Sequence, residues 1–257
     1  MSKISLRIAI PMLTKLQKLT SLKTISFLPL SVWLCFLFAL PFSPLSANMV
    51  LSEAIIHFEP GKPLRKDIEV ENPSSENLYI EITPAVVEQP GTESEQRVSI
   101  IDPRESGLLV TPNKLVVPPG GRKLVRLVSL KPLGEKERVY RVTFKPVIGD
   151  LEAEQIGVKI LVGYEVLVLM QPAAPEPNLI ATRSKTSLSF ENKGNTNILL
   201  REGKQCPEGA SNDSEDCKRL NGKRLYPGNS WSVDLPFNKA VDYQMSIGTK
   251  NSVKTYK

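Results

Sequence analysis

Residues Ile156–Met170 read IGVKILVGYEVLVLM, and the fold turns on how that stretch is taken. Ile156, Val158, Ile160, Val162, Tyr164, Val166, Val168 and Met170 occupy alternate positions, with Gly157, Lys159, Leu161, Gly163 and Glu165 between them. Successive side chains of an extended chain point to opposite faces, so the alternation predicts a strand. At about 3.3 Å per residue it would span roughly 50 Å, two to three times a common strand length. Two readings fit. A central sandwich strand would be buried on both faces, with Leu161, Leu167 and Leu169 on the second. An exposed edge would leave the first half, where Gly157, Lys159, Gly163 and Glu165 make poor core, for another chain to pair with.

Upstream, from Val50 onward, short apolar and β-branched runs alternate with turn formers: Glu59-Pro60-Gly61, Asn72-Pro73-Ser74, Gln89-Pro90-Gly91, Asp102-Pro103 and Pro118-Pro119-Gly120-Gly121. This spacing indicates an all-β sandwich or barrel. Downstream, Gln171–Pro177 (QPAAPEP) holds three prolines, which favours a stiff connector. Weaker strand runs fill the remainder. The expected organisation is a first domain over 48–170, a connector over 171–177 and a second domain over 178–257.

Residues 1–47 are set apart. Lys3, Arg7, Lys15, Lys18 and Lys23 occur there without an acidic residue, followed by the apolar run Phe27–Phe42 and the small residues Ser46 and Ala47. That is the layout of a secretory signal cut after Ala47. An uncleaved anchor is the alternative, disfavoured by Pro29 and Pro41, and cleavage leaves no stable membrane insertion. Removing the segment takes five positive charges from the formal +6 and leaves +1. Nucleic-acid binding, which needs a basic patch on the folded domain, is not expected. Cys35 goes with the signal, so Cys206 and Cys217 remain as an even pair. In an oxidising compartment they read as one disulfide, the alternative being two separate thiols.

Catalytic signatures are missing. There is no Gly-x-Ser-x-Gly elbow, phosphate-cradling loop or His-Glu-x-x-His. The single histidine, His57, sits between Ile56 and Phe58 as an ordinary strand residue, and no CxxC occurs. Neither an enzyme, a metal site nor a cofactor is expected.

Lys114–Leu130 (KLVVPPGGRKLVRLVSL), Glu137–Val147 (ERVYRVTFKPV) and the long strand ending in Gln171-Pro172-Ala173-Ala174 resemble the periplasmic chaperones of chaperone–usher pili. Gly107–Pro112 (GLLVTP), Glu137–Arg141 and the loop Cys206–Cys217 resemble more particularly the alpha group, the class 5 and common-pilus fimbrial chaperones. The resemblance implies two immunoglobulin-like β-sandwich domains in an L-shaped arrangement, a periplasmic location and no catalysis. It implies that Ile156, Val158, Ile160 and Val162 are lent as a donor strand to a fimbrial subunit that lacks one of its own, a case of β-strand addition. An outer-membrane usher would receive the complex, and self-association of the free form would be another way to cover the edge. A two-domain exported adhesion or receptor module with the same sandwiches is the alternative.

Two positions depart from the family pattern. Many members hold the subunit's terminal carboxylate with an Arg in the first strand and a Lys in the last. Here those places are apolar, at Ala54 or Ile55 and at Leu167. A carboxylate still requires cationic or amide partners, and Arg141, then Arg126, are the candidate substitutes, against the plainer reading of each as a solvated strand charge. Gln171 stands where an Arg often pairs with a Glu matching Glu137, so that interdomain bridge is expected to be absent or rebuilt.

Overall fold

The computed structural model describes residues 49–148, 160–211 and 214–257, so the expected leader, Ile156 and Val158 lie outside the described residues. The first sandwich contains β1 (Val50–Leu51), β2 (Ile55–Phe58), β3 (Arg65–Glu71), β4 (Leu78–Glu88), β5 (Gln96–Ser99), a single helical turn α1 (Pro103–Ser106), β6 (Leu108–Thr111), β7 (Lys114–Val117), β8 (Arg122–Ser129), β9 (Arg138–Val147) and β10 (Tyr164–Met170). One sheet runs β1-β3-β8-β6, and the other β2-β10-β9-β4 with both β5 and β7 on the far side of β4. The period-2 alternation sets the layers. Tyr140, Val142 and Phe144 of β9, Val166, Val168 and Met170 of β10, and Ile80 and Ile82 of β4 meet Ile68, Val70, Val125 and Leu127 of the opposite sheet in one buried core.

The second sandwich contains β11 (Leu179–Arg183), β12 (Ser187–Asn192), β13 (Ile198–Gln205), β14 (Lys218–Leu220), β15 (Lys223–Leu225), β16 (Ser230–Asp234), β17 (Val241–Ile247) and β18 (Lys250–Tyr256). Sheet β11-β12-β16 faces sheet β14-β13-β17-β18, with β15 added to β13. Its core is aromatic. Phe190 stacks with Trp231 at a centroid distance of 6.0 Å and meets Tyr243 and Tyr256 edge-on at 5.2 and 5.3 Å, geometries favoured by the ring quadrupole. Cys206 and Cys217 form a disulfide across the loop between β13 and β14.

The long strand is shorter than its pattern. β10 begins at Tyr164, and the described residues 160–163 belong to no strand. Its ladder with β9 stops at Tyr164–Phe144 although β9 itself continues to Val147; Pro146, which has no N–H to donate, lies two residues beyond that last pair. Strands β5 and β18 carry no apolar alternation, since all of β5 and all of β18 except Tyr256 are exposed. Both are held by one neighbour, β4 and β17 respectively.

Each sandwich turns a corner on a fully buried asparagine. Asn72 donates through Nδ2 to the carbonyls of Glu76 (2.7 Å) and Val117 (2.9 Å) and accepts through Oδ1 from Ser74 N (3.0 Å). Asn192 donates to the carbonyls of Thr196 and Leu225, both at 2.9 Å, and accepts from Gly194 N at 3.0 Å. Both asparagines lie in the same local sequence, Glu-Asn-x-x-x-x-Asn, at 71–77 and 191–197.

Candidate functional site

The outer face of β10 is built as rows across the sheet. Ile55, Leu167, Arg141 and Ala85 are register partners on β2, β10, β9 and β4, and His57, Leu169 and Val139 form the next row. Leu167 and Leu169 are buried although they point away from the first core. They pack with Val87, Val139 and Tyr226 in a separate apolar cluster, and Tyr226 comes from the second sandwich. The end of β10 is thus covered on both faces, which explains why leucines stand where a one-sided strand would be polar.

The start of β10 differs. Strand β2 pairs only with Leu167–Met170, and Leu167 N donates to Ala54 O at 3.0 Å. Tyr164, Glu165 and Val166 pair with β9 on one side, and among the described residues no strand pairs with them on the other. Just before them, Ile160 is 78% and Val162 48% exposed.

Arg141 lies in the row with Ile55 and Leu167, and its Nε is buried without a hydrogen-bond partner. One carboxylate oxygen of Glu165 is 3.9 Å away, while the other accepts from Arg97 at 2.7 Å. Arg126 is placed differently. It belongs to the opposite sheet, where Nε and Nη2 donate to the two carboxylate oxygens of Asp67 at 2.7 and 2.8 Å. That bidentate bond holds the Asp67 carboxyl below its ordinary value.

The interdomain bond is rebuilt around Glu137. Its Oε2 accepts from Thr196 Oγ1 (2.9 Å), Asn197 N (3.0 Å) and Asn197 Nδ2 (2.7 Å), and Arg224 donates to Asn197 Oδ1. Gln171, buried, lies against Gly248, where an added Cβ would stand 2.6 Å from Gln171 Nε2. Burial raises the Glu137 carboxyl above its usual range, opposed by the bonds from Asn197 and Thr196. Burial also lowers the Arg224 guanidinium, Tyr226 and Glu137 oppose this, and the charges of Arg141 and Arg201 add to it. His57 is lowered by burial and then by Arg224. Sequence reading singled out Glu137 and Arg141 but missed Arg224 and Tyr226, whose runs carry no signal of what another domain brings to them.

A carboxyl whose folded pKa is raised favours folding below its unfolded pKa and loses that contribution as pH climbs through the folded value. Glu137→Gln, a neutral isostere, is therefore expected to melt at or above the parent temperature at pH 7, with the difference vanishing toward pH 4. Glu137→Ala leaves three donors unpaired and is expected to cost about 1–3 kcal/mol. Thermal unfolding across pH checks both.

No protein-family model matches the chain. The chain is 30% identical over 188 residues to a CFA/I fimbrial subunit of Escherichia coli, covering 66% of this chain and 77% of that relative. It is 28% identical over 176 residues to a CS1 fimbrial subunit of Escherichia coli, covering 65% and 73%. Among solved structures, that of the class 5 fimbriae chaperone CfaA superposes with a TM-score of 0.58 at 26% identity, over 81% of this chain and 98% of the other.

Proposed function

The chain belongs to the class 5 fimbrial chaperones of the chaperone–usher type, and from that premise we propose that it binds and stabilises fimbrial subunits in the periplasm by donor-strand complementation and passes them to an outer-membrane usher. The observation that carries this is the edge of β10: paired on one side only at Tyr164–Val166 among the described residues and preceded by the exposed apolar side chains Ile160 and Val162. A subunit strand laid there satisfies the unpaired backbone groups, and alternate apolar side chains of the donor segment, Ile156, Val158, Ile160 and Val162, enter the subunit's groove. Burying each gives about 1.5–3 kcal/mol before ordering costs. Export by the expected leader over 1–47 is part of the same reading. An adhesion or receptor module would have no use for an edge kept open in this way.

Arg141 anchors the subunit's terminal carboxylate in this reading. Its unpartnered Nε stands beside Ile55 and Leu167, the positions where the family pattern has its cations, whereas the guanidinium of Arg126 is already occupied by Asp67. A charge-assisted bond contributes about 1.5–3 kcal/mol, so Arg141→Ala is expected to weaken binding by roughly 10- to 100-fold. Calorimetric titration with a peptide copying the subunit's C-terminal strand, as free acid and as amide, checks this. Equal affinity of the parent chain for acid and amide would remove Arg141 from the role.

The whole reading is tested by co-expression with the fimbrial subunit in an Escherichia coli periplasm. A soluble one-to-one complex is expected, and a subunit that degrades equally with and without the chain would sink the proposal.

A further inference from the structure

The β4–β5 hairpin reaches out of the first sandwich and touches the second. Its turn is Gln89-Pro90-Gly91, and Pro90 O accepts a hydrogen bond from Asn229 Nδ2 at 2.8 Å. Gly91 has φ +73°, and a Cβ there would stand 2.7 Å from Asn229 Nδ2 and 2.9 Å from Tyr226 Cδ2. The turn is braced from within by Gly91 N donating to Glu95 Oε2 at 2.7 Å. The surface it meets is equally fixed. Asn229 N donates to Tyr226 O, and Asn229 O accepts from Asn192 N at 2.9 Å, which ties the contact to the buried asparagine corner of the second core.

This contact is separate from the Glu137–Asn197 bond and extends, through Tyr226, the cluster that Tyr226 forms with Leu167 and Leu169. One attachment between two bodies leaves a pivot, whereas several attachments spread over an area remove the rotation. Relative motion is the default for linked domains unless the interface prevents it. We propose that the β4–β5 hairpin is a strut that fixes the orientation of the second sandwich on the first before any partner arrives, with Gly91 and Asn229 as its positioning residues. The absence of a side chain at Gly91 lets the turn seat on Tyr226, and Asn229 latches it.

The test places spin labels at Lys123→Cys and Lys185→Cys, both exposed, in a full chain carrying Cys35→Ser; Cys206 and Cys217 are bonded to each other and take no label. One narrow distance is expected in this parent. Gly91→Val is expected to shift the distance and about double its width, and Asn229→Ala to broaden it less. Gly61→Val is the control for backbone strain, because Gly61 has the same φ of +73° and nothing within 4 Å of an added Cβ; it should leave the distance unchanged. Parent-like distributions in both Gly91→Val and Asn229→Ala overturn the strut. If Gly91→Val does not fold, Asn229→Ala decides. No subunit enters the measurement, so its outcome is independent of the donor-strand reading.

Discussion

Ile160→Asp or Val162→Asp is expected to abolish subunit protection while the chain itself stays folded. Both side chains are substantially exposed, at 78% and 48%, and substitutions at such positions usually shift stability by no more than about 0.5 kcal/mol. The loss falls on the complex alone. Each variant forfeits about 1.5–3 kcal/mol of apolar burial and adds the cost of bringing a carboxylate against an apolar groove. A fall in affinity of about 100-fold or more follows for either change. Co-purification from the periplasm, with the melting temperature of the free chain measured alongside, separates the two effects. Parent-like recovery of the subunit with both variants would end the donor-strand reading, and a collapsed melting temperature would show that these residues belong to the fold.

The second large effect concerns stability. Asn72→Leu keeps the branched shape but takes a donor from the carbonyls of Glu76 and Val117 and an acceptor from the N–H of Ser74; Asn192→Leu does the same to Thr196, Leu225 and Gly194. Each orphaned buried group costs about 1–3 kcal/mol and a part-buried one less; Asn72→Leu orphans the buried Val117 carbonyl and Asn192→Leu the buried carbonyls of Thr196 and Leu225, so a loss of about 2 kcal/mol or more is expected from either variant. Asn72→Leu should act on the first sandwich and Asn192→Leu on the second. Urea unfolding checks this, and an unchanged midpoint would mean that water or backbone shifts replace the asparagine.

Much of the fold was legible because sandwiches are written in alternation and turns. The runs at Ile68–Val70, Val139–Val147 and Ser187–Glu191 fall within β3, β9 and β12. Residues whose partners are supplied by another part of the molecule were not legible. Lys250–Tyr256 is polar throughout most of its exposed positions and is a strand because β17 offers a ladder, whereas 160–163 alternates and is outside any strand although β9 continues to Val147, its next residues beyond Phe144 being Lys145 and the donor-less Pro146. The asparagine corners did leave a trace, the repeated Glu-Asn-x-x-x-x-Asn. An isolated Asn in a turn is so ordinary that only comparing the two halves of the chain would have drawn it out. At the candidate site, Arg141 was singled out from its place in the Glu137–Arg141 run, and it stands in the row with Ile55 and Leu167. Tyr226, Arg224 and the seat of Gly91 depend on how one sandwich rests on the other, which no local pattern encodes.

Strand β2 has four residues and runs parallel to β10 over Leu167–Met170 alone. In the donor-strand reading, an incoming strand laid along that edge from the Ile160 end would therefore meet a doorstop. Ile55 already occupies the lane at the Leu167 row, and Arg141 flanks that row on the far side. A guest that slides two residues too far collides with β2, and one that stops two residues short leaves its terminus away from the guanidinium. On that reading register would be gauged against a fixed end, and guests of differing sequence would be held in one alignment by where the lane closes.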